Sequence, residues 1–197
     1  MFQEQNLRRW LIAGALAAAT AGGMGCQTQA PVEKASTPPT HEQIVARGEY
    51  LVAITGCNDC HTPLKMGDKG PEPDMARMLS GHPENLKMPA PPKLSEAWGV
   101  AGAGTSTAWA GPWGITYTAN LTPDQNTGIG IWDEGMFIKA MRSGRHMGDG
   151  RPIQPPMPWP GISKMTDDDL KAVFAYLKSV PPVSNHVPDY QEPPAAK

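Results

Sequence analysis

The run Cys57-Asn58-Asp59-Cys60-His61 constrains this chain more than any other feature of its sequence. On one turn of helix, positions i, i+3 and i+4 share a face, so both thiols and the imidazole converge on one object. Three objects suit that arrangement: a haem whose two vinyl groups take up the thiols, a zinc ion, or a disulfide redox centre. A zinc site needs four ligands, and with no second cysteine pair only His41, His82, His146, His186 and acids remain to complete it. A thioredoxin-like pair wants a βαβ setting, and no such strand pattern is evident. Cys-x-x-Cys-His is the attachment signature of c-type haem. The expectation is one covalent haem c on Cys57 and Cys60, with His61 as an axial iron ligand.

The N-terminus agrees with that reading, because haem c is attached after export in bacteria. Arg8 and Arg9 precede the short apolar stretch LIAGALAAATA, and small residues lead to Cys26. Residues 1–26 are expected to be an export signal of lipoprotein type with Cys26 as the lipidated residue. That places the protein on the periplasmic side of a bacterial membrane, lipid-anchored or otherwise soluble. Residues 27–40 read as a polar, Pro-containing tether. The formal charge of −2, from 17 basic and 19 acidic residues, offers nothing to nucleic acid.

The remaining chain is expected to be one cytochrome-sized domain over 41–183, followed by a Pro-rich tail over 184–197. Residues 41–55 carry Ile44, Ala46, Tyr50, Leu51 and Ile54 at roughly helical spacing, and Gly48 among them suggests a close helix crossing. Residues 132–145 read as a helix with Phe137, Ala140 and Met141 on one face and Gly144 at its end. The clearest helix begins at Thr166, with Asp169 three residues on. Its stripe is Leu170, Val173, Phe174 and Leu177, and Pro181-Pro182 stop it. Between these helices, residues 64–114 are crowded with Gly and Pro. They are expected to form an ordered loop insertion anchored by Trp98, Trp109 and Trp113, with little or no strand anywhere.

The sixth iron ligand decides between an electron carrier and ligand chemistry, since a thioether raises the potential and an open site invites small molecules. Met157 stands between prolines in Pro155-Pro156-Met157-Pro158, just before the last helix. Proline fixes φ, so such a loop loses little further freedom when it presents a weakly binding sulfur. Met157 is therefore the preferred ligand. Met147, Met165, His146, His82 and an empty position stay open as alternatives.

Three stretches, RGEYLVAITGCNDCHTP, YTANLTPDQNTGIGIWDEGMFIKAMRSGRH and RPIQPPMPWPGISKMTDDDLKAVFAYLKSVPPV, cover most of residues 47–183. In them the chain resembles bacterial class I monohaem cytochromes c, and in particular the cytochrome modules of alcohol and gluconate dehydrogenase subunits. The resemblance implies an all-α, class I cytochrome c fold of three to four helices around the haem, with the first and last helices crossing near Gly48 and Tyr176. It implies that Met157 is the distal ligand, that Asn120 and Thr122 steady the haem edge, and that Trp132 and Trp159 line the pocket. Such subunits commonly carry three haem modules, whereas one attachment motif is present here. The implied function is a single-haem electron carrier, not an enzyme. It would link a periplasmic or membrane dehydrogenase, or another quinol-linked donor, to an oxidase or other acceptor. The alternative is a small haem peroxidase or gas-binding sensor with a displaceable sixth ligand, in which His82 or His146 would serve as distal acid–base groups.

Overall fold

The computed structural model describes residues 37–95 and 97–193. The expected export signal, its Cys26 and most of the tether lie outside the described residues. Among those described, no helix is long and apolar enough to cross a membrane.

The helical frame follows from caps and stripes that the sequence carries. Helix α1 (His41–Ile54) starts at Thr40, whose hydroxyl accepts from Gln43 N–H while the Gln43 side chain accepts from Thr40 N–H, a reciprocal cap worth about 1 kcal/mol. Helix α2 (Cys57–His61) is the motif itself. Helix α3 (Glu134–Ser143) is capped by Asp133 and ends at Gly144, whose φ of 65° is the left-handed conformation that closes a helix without a Cβ penalty. A single turn, α4 (Trp159–Ile162), precedes α5 (Asp167–Ser179), where Thr166 caps through Asp169 N–H at 3.1 Å.

α1 and α5 cross at Gly48. A Cβ there would overlap the carbonyl oxygen of Ala172 and stand 2.8 Å from Tyr176 Cβ, so only glycine lets the two backbones meet. Arg47 and Asp169 close one flank of the crossing at 2.9 Å. Beneath it, Leu51 and Val52 of α1, Phe137, Ala140 and Met141 of α3, and Leu170, Val173, Phe174 and Leu177 of α5 form the core, joined by Leu79 and Ile129. Phe137 and Phe174 pack with ring centroids 5.4 Å apart.

The expectation of an all-α fold is overturned: the described residues are mixed, with five strands in two antiparallel sheets. β1 (Leu64–Gly67) pairs with β2 (Gly70–Pro73) as a hairpin, and β3 (Ala101–Gly102), β4 (Ala108–Gly111) and β5 (Gly114–Tyr117) form a three-stranded meander. Every strand falls in or at the edge of the stretch read as loop. Side chains of β4 alternate between buried and half-buried, as a pleated strand requires. A two-residue connection, Pro112-Trp113, returns the chain from β4 to β5. Runs of two to four residues are too short for their alternation to stand out among glycines and prolines. Two of the three tryptophans act as packing anchors there. Trp109 covers Gly102, and Trp113 covers Gly111 while its Nε1 donates to Thr116 Oγ1. Trp98, by contrast, is 73% exposed.

The segment after α5 runs back along this sheet. Gln191 exchanges two backbone hydrogen bonds with Ile115, at 2.9 and 3.0 Å, and Tyr190 donates its hydroxyl proton to Trp113 O. Asn185, which the sequence places beyond the expected domain, is only 7% exposed.

Candidate haem site

α1 gives way to α2 through Thr55 and Gly56. The Thr55 hydroxyl bonds back to Leu51 O at 2.7 Å, and Gly56 turns the chain at φ 70°. This reversal starts a fresh helical turn at Cys57 and brings Cys57, Cys60 and His61 to one face. The two cysteines are not joined to one another. Burial pushes both thiols above their ordinary pKa, aided at Cys60 by the charge of Asp59 and opposed at Cys57 by the Thr55 hydroxyl. A disulfide-exchange pair needs the opposite, a stabilised thiolate. Nor does any group of three His, Cys, Asp or Glu side chains capable of holding a metal ion occur among the described residues. Zinc and thiol exchange are thus both poorly served.

His61 is held from two sides. Its ring Nδ1 donates to Ala119 O at 2.7 Å, and its own carbonyl accepts from Gly81 N–H at 2.8 Å. Burial holds the imidazole below its ordinary pKa, with the Ala119 bond opposing in part, so the ring is neutral at physiological pH. With the proton fixed on Nδ1, Nε2 carries the free lone pair that a metal takes. Next in the chain, Thr62 accepts from Leu79 N–H and donates to Asn58 Oδ1, both at 2.9 Å, tying α2 to the segment 79–82. Gly81 sits at φ 77°, where a Cβ would overlap Thr118 O and lie 2.6 Å from the carbonyl carbon of Ala119. Segments 79–82 and 118–121 can therefore lie side by side, joined by His82 N–H to Thr118 O and Leu121 N–H to Leu79 O.

Against the core cluster, several apolar side chains are incompletely covered. Cys57, Met157, Met78, Leu121, Trp132 and Ile153 are all partly buried and pack against the core cluster. Cys57 and Met157 thus border the same apolar body, one from α2 and one from the segment before α4. The donor set fits a covalent c-type haem: two unpaired thiols, an imidazole with Nε2 free, a thioether and an apolar wall.

Asn120 Nδ2 donates to Val183 O at 2.8 Å and Thr127 Oγ1 at 3.1 Å, while its Oδ1 accepts from both N–H and hydroxyl of Thr122. Thr122 Oγ1 also accepts from Val183 N–H at 3.0 Å. Both side chains spend hydrogen bonds on fastening the loop after β5 to the chain after α5. Trp132 meets His146 edge-on, centroids 5.0 Å apart, and Trp159 lies against Gly144 at the end of α3. Met147 occupies a left-handed position at φ 54°.

His82 is fully buried. Its Nε2 bonds to Leu86 O at 2.9 Å and Nδ1 to Thr107 Oγ1 at 3.0 Å, with the Tyr117 ring 4.9 Å away. Leu86 O only accepts, so Nε2 carries the proton and neither nitrogen is left for iron or for acid–base work. Burial lowers the His82 pKa from the ordinary 6.5, against the Leu86 bond. The unfolded chain therefore takes up a proton near pH 6.5 that the folded chain resists, so this contribution is complete above that pH and is lost as pH falls below it. Thermal melts between pH 7.5 and 5 should show stability declining with acidity, and His82→Gln should flatten part of that slope.

Sequence reasoning missed Ala119 and Gly81, the two backbone partners of His61. A carbonyl oxygen has no side-chain signature, and the only available hint was a glycine in Ser80-Gly81-His82.

No family model matches the chain. It is 30% identical over 155 residues to the cytochrome c subunit of alcohol dehydrogenase (quinone) from Gluconobacter oxydans (strain 621H), covering 77% of this chain and 25% of that one. It is 27% identical over 170 residues to the fructose dehydrogenase cytochrome subunit of Gluconobacter japonicus, covering 86% and 28%. It is also 31% identical over 145 residues to the gluconate 2-dehydrogenase cytochrome c subunit of Pantoea cypripedii, covering 73% and 25%. The chain spans only 25 to 28% of the length of these relatives. Over most of its own length, it is similar to the cytochrome subunits of alcohol, fructose and gluconate dehydrogenases.

Proposed function

We propose that this chain is a single-haem c-type cytochrome that carries one electron, accepting it from a dehydrogenase and passing it to a further acceptor. The observation that carries the reading is His61: its Nδ1 proton is committed to Ala119 O, and Nε2 is left free on the same helical turn as two unpaired thiols. Haem supplies the one-electron couple when bound; the protein supplies ligands, orientation and an apolar surround. Cys57 and Cys60 would hold the group through thioethers. His61 and Met157 would ligate its iron, a histidine–methionine pair that raises the potential of a c-type haem. The similarity to cytochrome subunits of dehydrogenases supports a dehydrogenase as the donor and an electron-transfer role in place of a catalytic one. An exported, lipid-anchored location through Cys26 completes the proposal, on the ground of the N-terminal sequence pattern alone.

The peroxidase or gas-sensor alternative needs a free distal group. His82 has both nitrogens engaged, and His146 packs against Trp132. Exposing the reduced holoprotein to carbon monoxide, and the oxidised one to peroxide, separates the two classes. A carrier with Met157 in place leaves both spectra unchanged on a timescale of minutes. Rapid formation of a carbon monoxide adduct would favour the sensor.

A further inference from the structure

We propose that Asn185 is a positioning residue for His61: from the segment after α5 it locks together the two strips of backbone that hold the histidine, and so sets the donor strength of the iron ligand. The inference rests on the reading of His61 as an axial ligand. One strip is Ser80-Gly81-His82, where Gly81 N–H holds the His61 carbonyl at 2.8 Å. Asn185 Nδ2 spends its two protons on the carbonyls flanking that glycine, Ser80 O at 2.7 Å and His82 O at 2.9 Å. The other strip is Ala119-Asn120, where Ala119 O takes the His61 Nδ1 proton at 2.7 Å. Asn185 N–H donates to Thr127 Oγ1 at 3.0 Å, and the same oxygen accepts from Asn120 Nδ2 at 3.1 Å. One buried side chain and its backbone therefore grip both sides of the cradle. No charged group and no apolar side chain of that size reproduces a two-proton donor aimed at two carbonyls.

A firm bond from Nδ1 to a carbonyl raises the basicity of the ligating nitrogen and favours the oxidised iron. Removing the Asn185 amide loosens both strips, weakens the Nδ1 bond and shifts the couple toward the reduced form. Tyr190→Phe serves as control, because Tyr190 fastens the same tail to Trp113 O without touching the cradle.

The experiment compares full-length holoprotein of wild type, Asn185→Ala and Tyr190→Phe in redox equilibrium with one mediator dye. Asn185→Ala should move the reduced-to-oxidised ratio measurably toward the reduced form, and the His61 ring N–H should exchange faster by NMR of the reduced protein. Tyr190→Phe should lower the melting temperature without moving that ratio. Equal ratios in wild type and Asn185→Ala, both carrying haem, would overturn the inference. Should Asn185→Ala fail to mature, native-state hydrogen exchange on wild type decides. Release of the His61 ring proton and the Asn185 amide protons in one opening event supports the clamp; separate events overturn it. A wild-type chain that binds no haem covalently overturns the underlying reading, and this inference with it.

Discussion

A chain in which Cys57 and Cys60 are both replaced by alanine should carry no haem through denaturation, while wild type keeps its full complement. The two thiols are unpaired and lie one helical turn apart. Burial raises the pKa of both, which disfavours the thiolate that disulfide exchange or zinc binding needs. Each single replacement should leave one thioether and a partly retained haem, with the second link lost. Denaturing electrophoresis with haem staining, followed by intact-mass measurement, reads all four chains together. Haem staying with the double variant would mean that the linkage lies elsewhere, and the role assigned to α2 would fall.

Replacing Gly48 by valine should be the most damaging single change outside the motif. The new Cβ would occupy the space of the Ala172 carbonyl oxygen, which is α5 backbone and has no rotamer by which to yield. α1 and α5 must then separate, uncovering Leu51, Val52, Leu170 and Val173 at once. Overpacking a core typically costs about 1–3 kcal/mol, and a clash with backbone at the main helix crossing belongs at or above the top of that range. For a chain of this size about 3 kcal/mol lowers the melting temperature by roughly 6–12 °C. Gly48→Ala should fall between valine and wild type. Thermal melts followed by circular dichroism give the order directly, and a valine variant melting with wild type would remove the crossing from the account.

The sequence was legible where a feature repeats or caps. α5 announced itself through Thr166 and its apolar stripe, α3 through Gly144, and the α1–α5 crossing through a single glycine in a helical pattern. The sheets were hidden because their strands are two to four residues long, sit beside glycine and proline, and are stabilised by pairing with partners and by the returning tail at Gln191. The histidine cradle was hidden for another reason. Its working groups are the Ala119 carbonyl and the Gly81 N–H, which are ordinary backbone groups, and tertiary approach alone selects them. Asn120 and Thr122 drew attention as haem-edge residues, while the hydrogen bonds they make to Val183 beyond α5 went unforeseen. No local pattern ties residue 120 to residue 183.

The absorption spectrum of the oxidised holoprotein, wild type beside Met157→Ala, tests the central claim most directly. An iron–thioether bond gives a weak far-red band. The account predicts that band in wild type, its loss in Met157→Ala, and new reactivity of the reduced variant toward carbon monoxide while the haem stays attached through Cys57 and Cys60. A band that survives the substitution would assign the sixth position to another methionine. Absence of the band from wild type would contradict His61/Met157 ligation and, with it, the electron-carrier reading built on that pair.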